Sequence, residues 1–162
     1  MSDFVTGMKF LNVGLIGLGL YSAIEANSKI KPEKIKTTGG DTIVIDRSFI
    51  VGGSAIVAAL GLMNWFLLSY IYNNNSSLNL WYKLFGMVVS GAILVISGFL
   101  LSEYLLLNYY KSHPDGANKE DLPQELVTVG LVLGGVGVGI SLFLLIQILV
   151  SWGSVNSKKM RL

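Results

Sequence analysis

From Leu126 to Trp152 the chain carries no charged side chain. The run reads LVTVGLVLGGVGVGIS and continues LFLLIQILVSW. A helix crosses a hydrocarbon core of about 30 Å with about 20 apolar residues, so this run spans it with some tilt. Lipid offers the backbone no hydrogen-bond partners, which leaves helix as the spanning form for such a run. Three earlier runs share its character, and spans are expected at about residues 4–24, 49–72, 80–104 and 126–152. The expected fold class is an all-α membrane protein: four transmembrane helices as an up-down-up-down bundle, one domain over residues 1–162. The short Asn73–Asn79 connection makes the second and third spans antiparallel neighbours.

Composition agrees with a membrane location and removes several chemistries. Hydrophobic residues make up 52% of the chain and charged residues only 14%. With no cysteine there is no disulfide, thiolate metal site or cysteine nucleophile. A net charge of +2 is too small to point to nucleic acid. The first span reads as a retained membrane helix rather than a cleaved leader, because Ala23 and Ala26 lack Ala-x-Ala spacing.

The glycines follow helical geometry. In the last span Gly130, Gly134, Gly137 and Ser141 fall on one face, with Thr128, Gly135 and Gly139 nearly opposite. In the third, Gly86, Ser90 and Ser97 share one face, and Gly91, Gly98 and Ser102 share another. The first span divides into a Gly7, Gly14, Gly17, Tyr21 face and an Asn12, Gly19 face, and the second carries Ser54, Ala58, Gly61 and Trp65. Small residues let helix backbones approach in lipid, where the hydrophobic effect does not drive association. Two small-residue faces on one helix predict two packing neighbours.

The loops are less informative. Residues 34–45 are patterned for two short strands about a Gly39-Gly40 turn, a small β-hairpin. Near the last span Asp121 is the expected N-cap, with Pro123 early in the helix. His113 and Asp115 on a Pro-Gly turn make a poor metal site, and no metal or other cofactor is expected.

No ionisable residue lies in the middle of a span; Lys9, Lys83 and Glu103 all sit near span ends. The polar side chains inside are amides and hydroxyls. Asn12, Asn64 and Gln147 fall in the same half of the membrane and are expected to form one hydrogen-bonded cluster. No nucleophile–base, metal-protease or paired-carboxylate arrangement occurs within a span, so no enzyme is expected.

Four spans place both termini on one side. That side carries Lys9, Lys83, Lys158, Lys159 and Arg161 against Asp3, and the other is acidic in balance. The termini are assigned to the cytoplasmic side on this net asymmetry, although the bases alone, seven against five, lean the other way. The expected function is a structural or accessory subunit. It packs through its small-residue faces into a larger membrane or membrane-containing particle, with the lipid bilayer, other membrane subunits or further copies as partners. The alternative is a small oligomeric channel or transporter for a neutral solute.

Overall fold

A computed structural model of the chain describes residues 2–30, 34–36, 42–44, 46–73, 80–112 and 123–159. Four helices dominate: α1 Ser2–Lys29, α2 Arg47–Asn73, α3 Leu80–Ser112 and α4 Gln124–Lys159. Each contains a segment long and apolar enough to cross a membrane, at Thr6–Lys29, Arg47–Leu68, Lys83–Tyr109 and Gln124–Val150. That arrangement fits a multi-pass integral membrane protein. A three-residue ladder joins β1 Lys34–Lys36 to antiparallel β2 Thr42–Val44, with Ile35 opposite Ile43. So short a ladder is marginal on its own, and the expected Gly39-Gly40 turn lies outside the described residues.

The helices outrun the expected spans. α3 continues through residues 105–112, beyond the expected span end at about 104, and α4 continues to Lys159. The apolar run marks the hydrocarbon, whereas a helix ends where its backbone ladder is interrupted. Leu105, Leu106 and Leu107 are strong helix formers, and Pro114 disfavours helical backbone at the residue before it. At the start of α4 the Pro123 carbonyl accepts from Leu126 N–H (3.1 Å) and Val127 N–H (3.4 Å). Pro123 therefore stands just before the helix rather than inside it, and the expected cap Asp121 lies outside the described residues.

Polar side chains tie α1 to α2 at the membrane edge. Asp46 caps α2, its Oδ1 accepting from Phe49 N–H at 3.1 Å. The next residue, Arg47, donates to the Asn27 carbonyl (2.5 Å) and to Asn27 Oδ1 (2.7 Å). A cation on the otherwise unpaired carbonyls of a helix C-terminus is favoured by the helix dipole.

Packing follows the small residues. A methyl at Gly19 would sit 2.8 Å from the Ser54 carbonyl and 3.0 Å from Ala58 Cβ, so α1 lies almost backbone to backbone on α2. Gly61 faces Leu15 and Ile16, and Gly53 faces Leu100 of α3. Phe49 and Phe99 meet edge to face, with ring centroids 6.1 Å apart. A methyl at Gly134 would lie 2.8 Å from Leu101 Cβ and 2.9 Å from Leu101 Cα, and one at Gly130 would overlap the Tyr104 ring. The side chains closed in by these contacts include Leu15, Ile50, Val57, Ile93, Leu100 and Leu133, all buried.

These contacts make a sharp stability contrast within one helix. Gly134→Ala is expected to cost about 1–3 kcal/mol, because the obstructing atoms are the Cβ and backbone of Leu101, which cannot swing away. Gly135→Ala, next to it in sequence, meets nothing within 4 Å and is expected to be neutral or stabilising by up to about 1 kcal/mol. Reversible unfolding in detergent micelles measures both. Equal losses would mean that α4 does not face α3 through Gly134.

Candidate functional site

The structure divides the small and polar residues into an inner and an outer set. Gly130, Gly134, Gly137 and Ser141 of α4 are buried, and all except Ser141 press on α3 residues: Tyr104, Leu101 and Ser97. Ser141 donates to its own helix, Oγ to the Gly137 carbonyl at 2.7 Å. Gly86, Ser90 and Ser97 of α3 are buried likewise, with Gly86 against Ile148. The opposite faces behave differently. Gly135 and Gly139 are exposed, Gly91 and Gly98 half-exposed, and an added methyl at any of the four would meet nothing within 4 Å. The same is true of Gly7, Gly14 and Gly17 on α1. Both small-residue faces exist on α1, α3 and α4, but the chain itself fills only one of the two on each.

Beside Gly139 the surface is indented. Met8 and Leu11 of α1 with Gly139, Ile140 and Phe143 of α4 line an open apolar crevice of about 200 Å³.

The expected amide cluster is realised in part. Asn64 Nδ2 donates to Asn12 Oδ1 at 3.1 Å, and Asn12 Nδ2 donates to the Met8 carbonyl at 2.9 Å. Both asparagines are buried. Gln147 is exposed on α4 and lies outside this pair. It stands about 80° from Gly137 and about 120° from Ser141 at 100° per residue, so half-membrane depth matched while facing did not. Near the same membrane edge the Lys9 ammonium lies 5.9 Å from the Trp65 ring centroid, a cation–π pairing.

A second polar group is absent from the sequence reading. Tyr104 of α3, fully buried, shares a 2.5 Å hydrogen bond with Ser22 of α1, and Ser22 Oγ lies 3.0 Å from Ser54 Oγ of α2. With Gly130 of α4 beneath its ring, Tyr104 touches all four helices. A signal existed: Ser54 was placed on a small-residue face, and Ser22 lies three residues after Gly19 on the α2-facing side. Tyr104, however, reads from sequence as an interfacial aromatic.

Among the described residues, no group of three His, Cys, Asp or Glu is placed to hold a metal. Among the described residues, the buried side-chain oxygens without a hydrogen-bond partner are Ser90 Oγ, Ser97 Oγ and Glu103 Oε2. What the arrangement offers is interhelical adhesion within the chain, an open set of glycines outside it, and a few polar groups set in an apolar interior. Comparison with protein-family models, curated proteins and solved structures finds no match.

The amide pair yields a second test. A double-mutant cycle of Asn12→Ala and Asn64→Ala is expected to show a coupling of about 0.6 kcal/mol, the average for interhelical hydrogen bonds in membranes. The corresponding cycle of Gln147→Ala with Asn64→Ala is expected to be additive. Coupling of Gln147 but not Asn12 to Asn64 would contradict the geometry.

Proposed function

We propose that the chain is a non-catalytic component of a larger membrane assembly. Its four helices cross the bilayer alternately as one up-down-up-down bundle, and its outer glycine faces seat helices of other membrane subunits or of further copies. Support for the alternation comes from the contacts: Gly19 meets Ser54 while Gly61 meets Leu15, and Gly130 meets Tyr104 while Gly137 meets Ser97. Partners along each pair run in opposite sequence directions. An even number of spans leaves both termini on one side, and the net charge asymmetry, basic there and acidic opposite, assigns that side to the cytoplasm.

The observation that carries the assembly role is the outer set of glycines. Glycine in a helix facing only lipid forgoes side-chain contact and helix propensity alike. On α4 the spacing of Gly135 and Gly139 is that of a close helix crossing, small residues four apart. The inner faces are already consumed by the chain's own fold, so any partner helix packs on the outer ones.

A small oligomeric channel or transporter for a neutral solute is the second reading. It is favoured by the polar side chains on the inner faces: Asn12, Ser22, Ser54, Asn64, Lys83, Ser90, Ser97 and Ser141 are all buried.

Gly135→Leu combined with Gly139→Leu separates assembly from folding. The double variant is expected to fold and insert like the parent but to migrate as the isolated chain after mild extraction from its native membrane. Retention in a full-sized particle would overturn the assembly role. Gly130→Leu with Gly134→Leu would not discriminate, because those side chains collide with Tyr104 and Leu101 of the chain itself.

A further inference from the structure

The inner face of α3 places Lys83, Ser90, Ser97 and Tyr104 at seven-residue intervals. All four are buried, at 8%, 1%, 0% and 0% exposure. Seven residues are close to two helical turns, so the four stack in one row, and at 1.5 Å per residue the row is about 32 Å long. That length is about the thickness of the hydrocarbon core. One end is a cation near the membrane edge. The other is the Tyr104 hydroxyl, bonded to Ser22.

The two middle members are the informative ones. Ser90 Oγ and Ser97 Oγ are buried and have no hydrogen-bond partner among the described residues. Ser97 Oγ abuts Gly137, whose missing side chain leaves space for it but provides no acceptor. A buried hydroxyl without a partner costs about 1–3 kcal/mol, and buried polar groups left over by the protein are as a rule satisfied by ordered water. Lys83 makes the adjoining end of the row the hydrophilic one, since a buried ammonium carries three donors that require acceptors.

We propose that this row is a hydration track inside the four helices. Water enters from the Lys83 end and reaches Ser90 and Ser97, and the Tyr104–Ser22–Ser54 hydroxyl group closes the far end. The track's middle is hydroxyl, able to donate and accept but without charge, and its mouth is cationic. It therefore suits water and small uncharged hydrogen-bonding molecules, and it disfavours cations. The inference concerns the inner faces only and stands or falls independently of assembly through the outer ones.

The test uses the full chain in lipid bilayers. Water-to-protein proton magnetisation transfer, read by solid-state NMR at Ser90 and Ser97, is expected to build up several-fold faster than at Val95. Val95 belongs to the same helix and is exposed on its outer surface. The chain has no cysteine, so chemical access can be read alongside with single Ser90→Cys, Ser97→Cys and Val95→Cys variants. Only a thiolate reacts with a membrane-impermeant methanethiosulfonate, and a thiolate forms only where water reaches, so the Ser90→Cys rate is expected to exceed that of Val95→Cys about tenfold or more. Magnetisation transfer at Ser90 and Ser97 in the unmodified chain as slow as at Val95 would overturn the track, whatever the variants do.

Discussion

Close approach of α4 to α3 across Gly130, Gly134 and Gly137 holds the rest of the structure in place. In water such a contact would be a small addition to apolar burial. In lipid the surroundings are as apolar as the helix, and packing, interhelical hydrogen bonds and lipid entropy are what remain. Dispersion falls off steeply with separation, so a backbone-to-backbone crossing gathers contacts that a leucine-lined seam cannot. The same device recurs where Gly19 of α1 lies against Ser54 and Ala58 of α2. The Tyr104 ring depends on it, because only glycine at 130 leaves room for the ring. Its hydroxyl then reaches the serines of α1 and α2.

Polar groups inside such an arrangement do two kinds of work. The Asn12–Asn64 bond and the Tyr104–Ser22–Ser54 group join different helices and fix how they rotate about their axes. Neither is worth much in free energy, about 0.6 kcal/mol per bond on average in membranes. Their contribution is selective, since an incorrect rotation would strand an amide in hydrocarbon. Ser90 and Ser97 do not join helices. They lie where alanine would pack with no desolvation cost, which is why they point to a guest rather than to the fold.

Much of the fold was legible in the sequence because the bilayer imposes a length scale. An uncharged run such as Leu126–Trp152 has few alternatives to a spanning helix. The ends were less legible, since lipid thickness bounds the apolar run but not the helix, and α3 and α4 continue past it. Helical spacing also puts Gly130, Gly134 and Gly137 on one face and Gly135 and Gly139 on another. What it could not supply was which face the chain would use for itself. That choice depends on partners contributed by other helices, as Tyr104 shows. Gln147 illustrates the same gap: its depth could be estimated from the run, but its facing depended on where α1 and α2 came to rest.

The outer glycines form small-residue faces that the chain's own helices leave unused. An assembly component needs such a surface, and a self-contained bundle does not. The most direct measurement is the mass and composition of the particle released from the native membrane in mild detergent. A particle well above 17.5 kDa of protein, with fixed composition and the outer faces of α3 and α4 protected, is the expected result. A homogeneous monomer with those faces open to lipid would contradict it.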